Sequence, residues 1–113
     1  MSFERHLQLA LRSIVSAERQ QALGRVDGYA FRRRSAKESI EQAMQSATTD
    51  AQRLVGSSVA NLLAQGGDAA DDAVSQYGDA KTLKMRRAYR EGARSVLAHR
   101  ARQARQRCGP PSD

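Results

Sequence analysis

The side chains best suited to a chemical role in this sequence are basic residues near its C-terminal end. On a helix that turns about 100° per residue, they collect on one face, opposite Tyr89, Ala93 and Val96. These basic residues, here called the ridge, are Lys84, Arg87, Arg90, Arg94, Arg102 and Arg105. A guanidinium donates paired hydrogen bonds that match the oxygens of a phosphate. The ridge therefore predicts contact with a polyanion or with an acidic protein surface.

Three interpretations of the ridge stay open. It could be a solvated face, or pair with acidic segments of the same or a neighbouring chain, as charged faces commonly do. It could hold nucleic acid without sequence preference, through counterion release and therefore with strong salt dependence. An anionic membrane surface is the least favoured partner, because the apolar side of this helix has no Trp or Phe to insert.

A second basic cluster, the knot, consists of Arg32, Arg33 and Arg34. The segment from Ser35 to Glu38 fits the capping-box pattern, so we expect a helix to begin at Ser35. The knot would then lie at the positive end of a helix dipole, which is unfavourable for arginine. A bound anion, an acidic partner or simple exposure to water would each account for it. Neither the knot nor the ridge has interleaved aromatic residues, which disfavours single-strand binding by base stacking.

Residues for catalysis or metal binding are sparse. His6 and His99 lie at opposite ends of the chain, and neither has a second ligand at metal-binding spacing. The acidic cluster of residues 68–72 lacks the order of a calcium loop and is better explained by helix capping. Gly66-Gly67 is followed by an acid and not by the lysine of a phosphate loop. We expect no enzyme activity, no metal or other cofactor and no small-molecule substrate.

Length and composition predict one small domain that depends partly on association. The chain has 113 residues, of which 40% are hydrophobic and only 4% aromatic, so much of the apolar content is alanine. Alanine buries little area, which limits the stability of an isolated core. We expect a single helical domain over residues 1–107, a short flexible tail over residues 108–113, and a homo-oligomer or larger protein assembly. The single cysteine excludes an intrachain disulfide.

The charge is arranged in blocks. Residues 1–37 and 80–113 carry net charges of +5 and +8, and residues 38–79 carry −6. Apolar runs are far shorter than the approximately 20 residues of a membrane span. The first residues are too charged for a signal peptide. We therefore expect a location in the cytoplasm, or within a particle assembled there, such as a virion.

Apolar periodicity predicts an all-α fold with no sheet, an elongated helical hairpin or a bundle of three to four helices. The first helix should end near Leu23, because Gly24 can adopt the left-handed conformation. The expected order is a helix over residues 3–23, a turn or loop over 26–31, a long helix over 35–65, a short helix from 68 to 77 and a last helix from 80 to about 107. Gly78 could break the last two helices or only kink them.

The predicted long helix carries a row of small and apolar residues with nearly coiled-coil spacing. This row, the seam, contains Ile40, Met44, Ala47, Ala51, Leu54, Val55, Ser58 and Leu62. Small side chains at four-residue intervals let helix backbones approach closely. We therefore interpret the seam as a self-association surface.

These features favour a non-enzymatic helical assembly protein that oligomerises through the seam and uses its basic ends against a polyanion or an acidic protein surface. A small component of a nucleic-acid-containing particle, such as a phage virion, fits that type. The alternative is a cytoplasmic nucleic-acid-binding accessory or regulatory protein without sequence preference. A third hypothesis is an adaptor or inhibitor that docks on a host protein by one helix face.

Overall fold

The structure, a computed structural model, describes residues 2–108. Over these residues the chain forms five helices and no strand, which confirms the all-α prediction but exceeds the expected three to four helices. The helices are α1 (Phe3–Ala22), α2 (Val26–Ser46), α3 (Asp50–Gln65), α4 (Gly67–Tyr77) and α5 (Ala80–Cys108). None of them is long and apolar enough to cross a membrane. Of the predicted tail, residues 109–113 lie outside the described residues, and Cys108 is the last residue of α5.

Helix α1 lies at the centre of the fold and contacts each of the other four helices. Its apolar residues recur every three or four positions, so they share one broad face. Phe3, Leu7, Leu11 and Ile14 on this face are each at most 3% exposed. The predicted end of α1 is confirmed, because Gly24 has a φ of 72° just beyond the C-cap.

The expected turn over residues 26–31 is wrong, because these residues form the first turns of α2. Asp27 lies in the first turn, where its negative charge favours the helix dipole. Gly28 lies against the Gln20 side chain of α1, since a Cβ on it would lie 2.5 Å from Oε1 of Gln20 and this flexible side chain would have to shift. Ser35 therefore lies inside a helix and does not begin one.

The predicted long helix is also wrong, because the chain bends between α2 and α3. Ala47 and Thr49 both have extended backbones. The Thr49 hydroxyl accepts a hydrogen bond from the Gln52 amide at 3.1 Å, and Oε1 of Gln52 accepts one from the Thr48 amide at 2.8 Å. These side chains satisfy amides at the start of α3 that lack helical partners. The bend lets α3 return antiparallel to α2.

Residues 68–107 form two helices, and Gly78 ends the first of them. Asp79 caps α5 as expected, because its Oδ1 accepts from the Thr82 amide at 2.8 Å. The cap of α4 differs from expectation, since Gly66 takes that position and Asp68 lies in the first turn. The α4–α5 corner is held by Gln8 of α1, which accepts from the Asp79 amide and from the buried Thr82 hydroxyl, each at 2.9 Å.

Helix α5 runs parallel to α1 and extends beyond its end. Arg12 of α1 donates to Thr82, and two turns further along both helices Arg19 lies over the ring of Tyr89. From Leu97 to Arg107 every residue of α5 is exposed, and we call residues 97–107 the distal segment. This projection lengthens the molecule, whose dimensions are 70 × 25 × 22 Å.

Candidate polyanion-binding surface

One side of α5 holds it against the rest of the molecule. Thr82 is fully buried and Ala93 is 6% exposed. Tyr89 is half-buried between them, with the guanidinium carbon of Arg19 at 4.9 Å from the ring centre. These three residues lie on one helical face, so the orientation of α5 about its axis is set by packing. The opposite side is left to solvent.

The ridge lies on this solvent side, as its spacing predicts. Within the described residues, five of its members are exposed and none of the five has a carboxylate oxygen within 4.0 Å. These five, here called the free ridge, are Lys84, Arg87, Arg94, Arg102 and Arg105. Positive charges that lack an internal partner remain available to an external anion.

Arg90, the sixth member of the ridge, differs from the others. Its Nη2 donates to Oδ1 of Asp71 on α4 and lies 3.7 Å from a carboxylate oxygen of Glu18 on α1. Arg86 donates to the same Asp71 oxygen at 3.0 Å. Arg86 and Arg90 thus use the acidic middle of the chain to join three helices. The structure separates these structural arginines from the free ridge.

Glu18 lies in an unfavourable environment for its charge within this junction. Burial removes water from the carboxylate, and Asp71 adds repulsion, so the pKa of Glu18 is raised above its usual range. Arg90 and Arg86 partly offset both effects. The carboxylate adjoins a cavity of about 270 Å³ that is also lined by Arg33 and Tyr29.

The knot does not form one surface. Arg32 and Arg34 are exposed, whereas Arg33 turns inward and donates from Nη2 to the Leu63 carbonyl oxygen at 2.8 Å. That oxygen is one of the last carbonyls of α3, where a cation is favourable. The expectation that the knot meets the positive end of a helix is therefore wrong: it lies within α2, and its middle arginine caps the negative end of α3.

The seam is divided by the bend between α2 and α3. Ile40 is buried on α2, Ala47 caps it, and Leu54 on α3 is 70% exposed. The buried face of α3 is formed instead by Gly56, Val59 and Leu63. The seam is thus not a single helical surface, and its role in self-association stays a prediction.

An apolar groove of about 580 Å³ opens between α2 and α3. Its lining includes Ile40, Ala60 and Leu63, and Arg34 and Lys37 stand at its rim. The small alanine side chains on the facing helices leave this space unfilled. Among residues 2–108 no group of three or more His, Cys, Asp or Glu side chains is placed to hold a metal ion.

Known proteins give no further guide to these surfaces. Comparison of the chain with known protein families, characterised proteins and solved structures finds no match. The surfaces must therefore be interpreted from their own geometry and charge.

Two basic residues of α5 were missed by sequence reasoning. Arg100 and Arg107 fall on the helical side that faces the body earlier in α5, and they were therefore not grouped with the ridge. In the structure both residues are nevertheless exposed, because α5 extends beyond the end of α1. Arg100 Nη1 donates to the Leu23 carbonyl oxygen at the end of α1, at 3.3 Å. The sequence signal that could have identified Arg100 and Arg107 is the absence of any acidic residue from 92 to 108.

Proposed function

We propose that this chain is a non-enzymatic helical protein that binds nucleic acid, a polyanion, through the free ridge of α5. The binding is without sequence preference. The observation that carries the proposal is that some basic residues of α5 are ion-paired within the molecule and others are not. Arg86 and Arg90 share the carboxylate of Asp71, while the five cations of the free ridge are exposed and have no carboxylate within ion-pair distance among the described residues.

The length of the free ridge favours a linear partner. From Lys84 to Arg105 the helix rises about 32 Å at 1.5 Å per residue. A single small anion would engage one or two of these cations, whereas a nucleic-acid backbone presents phosphates along the whole distance. Helix α5 itself contains one acidic residue, Glu91, against ten basic residues. The field around it is therefore strongly positive and attracts polyanions.

Binding to a random-sequence DNA duplex at about 50 mM and about 200 mM salt tests the proposal. We expect tight binding at low salt and a steep loss at the higher salt. A variant with Arg87→Gln, Arg94→Gln and Arg105→Gln should bind at least about tenfold more weakly and show a shallower salt dependence, because each lost phosphate contact reduces the slope by about 0.9.

The matched control carries Arg5→Gln, Arg25→Gln and Lys37→Gln, which remove the same charge from exposed positions on α1, just before α2 and on α2, outside the ridge and the knot. It should retain most of the affinity. Equal weakening by both variants would show that only net charge matters and would contradict a role for the free ridge. Absence of binding at low salt would refute the proposal.

Self-assembly is a second proposal, and the exposed apolar surface near the α2–α3 bend supports it. Leu54 near this bend is 70% exposed, and the apolar groove lies farther from the bend on the same two helices, along residues 29–41 and 60–64. A second copy that covered Leu54 would remove this surface from water. An assembled form with the free ridge turned outward would suit a structural component of a nucleic-acid-containing particle, such as a virion.

A further inference from the structure

The distal segment of α5 carries arginines on two sides of a polar stripe. Measured from Arg94 at about 100° per residue, Arg102 and Arg105 point near 50°, and Arg100 and Arg107 point near 230°. The stripe between them points near 150° and consists of His99, Gln103 and Gln106. Around the helix axis, each pair of arginines thus lies nearly 90° from the stripe, one pair on each side of it.

The side of the helix opposite the stripe carries apolar side chains, most of which are small. Leu97, Ala101 and Ala104 point near 310° by the same measure. A surface-bound membrane helix would place its cations opposite a large apolar face. Here the cations lie beside a polar face on both sides, and the apolar face is mostly alanine. The pattern suits a groove whose two walls are negative and whose floor offers hydrogen-bond donors and acceptors.

The major groove of B-form DNA has this form. It is about 12 Å wide and admits an α-helix, and both of its walls are phosphate backbones. From this geometry we infer that the distal segment lies lengthwise in the major groove of duplex DNA, with each arginine pair on one phosphate strand and the stripe toward the base edges. The inference rests on the proposed function and names the partner as duplex DNA.

The shape of the fold leaves room for this arrangement. Every residue of the distal segment is exposed, and no described residue covers the stripe. On one flank Arg100 donates a hydrogen bond to the Leu23 carbonyl oxygen, which it would exchange for a phosphate oxygen. The segment of 11 residues is about 16 Å long, enough to follow the groove over roughly half a helical turn of the duplex. Arg87 and Arg94, on the same side as Arg102 and Arg105, then continue along one strand outside the groove.

Other nucleic-acid grooves fit less well. The minor groove of B-form DNA is about 6 Å wide and does not admit a helix. The major groove of A-form RNA is deep and narrow, so side chains do not reach its floor. Gln103 and Gln106 can form paired hydrogen bonds with adenine edges, but two glutamines and a histidine supply little discrimination beside the phosphate contacts. We therefore expect preference for duplex DNA over duplex RNA with weak sequence preference.

The test compares a 20-base-pair random DNA duplex, the corresponding RNA duplex, and the same DNA with glucosylated hydroxymethylcytosine, whose sugar fills the major groove. The full chain should bind the plain DNA duplex at least about tenfold more tightly than either of the others. A variant with Arg100→Gln and Arg107→Gln should lose this preference for open-groove DNA. The control with Arg87→Gln and Arg94→Gln should weaken binding to all three duplexes alike.

Circular dichroism of both variants should match the unchanged protein, since all four side chains are exposed. Equal binding to plain and glucosylated DNA would overturn the major-groove inference and leave the proposed function standing. Absence of binding to every duplex would refute both. Binding to vesicles of anionic phospholipid in place of DNA would also refute both, because it would identify a membrane as the partner.

Discussion

Among single residues, Glu18 has the surroundings least suited to its charge. Its pKa is raised chiefly by burial and secondarily by Asp71. The folded state therefore holds this proton more tightly than the unfolded chain does, and ionisation of Glu18 weakens the fold. The penalty is absent below the ordinary glutamate pKa of 4.5, grows as the pH rises through the raised pKa, and is constant above it.

We expect Glu18→Gln to increase the free energy of unfolding at pH 7 by less than about 1 kcal/mol, because the loss of the Arg90 contact offsets part of the gain. Near pH 4 the variant and the unchanged protein should be equally stable. Urea denaturation at both pH values measures the difference. Glu38→Gln, an exposed change on α2, is the control and should have little effect at either pH. Destabilisation by Glu18→Gln at pH 7 would contradict the argument.

At this scale the sequence predicts which residue types can meet a phosphate but not which of them are free to do so. Arg90 and Arg94 are both on the predicted ridge, one turn apart. Only the fold places Asp71 and Glu18 next to Arg90 and not next to Arg94. Asp71 lies 19 residues before Arg90, and Glu18 is on α1. Partners so distant in the chain leave no local pattern. The same reason explains why Arg33 could not be separated from Arg32 and Arg34.

Single helices differ in how well local signals predict their ends. The bounds of α1 and α5 agree with expectation within one or two residues. In each helix the apolar periodicity coincides with a clear terminal signal, which is the glycine after α1 and the N-cap residue of α5. The α2–α3 bend was missed because apolar spacing continues across it. The segment from Thr49 to Gln52 fits the capping-box pattern as well as the segment from Ser35 to Glu38 does. Only tertiary packing decides that a helix begins at Thr49 and not at Ser35.

Helices α1 and α5 supply a matched pair of glycines. A Cβ added at Gly24 or at Gly92 would meet open space, but only Gly24 has a left-handed backbone, with a φ of 72°. Gly24→Ala should therefore destabilise the fold by about 1 kcal/mol. Gly92→Ala, inside α5, should stabilise it by about 0.5–1 kcal/mol. Thermal unfolding followed by circular dichroism checks both signs, and stabilisation by Gly24→Ala would contradict the assigned end of α1.

For the whole molecule, the overall dimensions reflect the projection of α5. The radius of gyration is 17.5 Å, whereas a compact domain of this length would have about 13 Å. Helical periodicity anticipated an elongated form, although it attributed the length to a rod over residues 35–65. The elongation arises instead from α5, which continues after the other helices have turned back.

Assembly is tested at this scale by light scattering together with small-angle X-ray scattering. We expect the mass to rise above the 12.4 kDa of one chain as concentration increases. Leu54→Glu should hold the protein at one chain, with a radius of gyration near 17.5 Å. Val26→Glu is the control, because Val26 is 76% exposed at the start of α2, away from the α2–α3 bend. A mass of 12.4 kDa at every concentration would remove the assembly proposal.

The position of Gln8 at the α4–α5 corner bears on how the chain folds during synthesis. Gln8 hydrogen-bonds to groups 69 to 74 residues later, so the ribosome must deliver most of the polypeptide before these bonds can form. The α1–α2 hairpin, whose contacts are close in the chain, can form early but leaves part of the α1 apolar face uncovered. A nascent chain of this protein is therefore expected to pass through a stage in which part of its apolar core surface is still exposed to water.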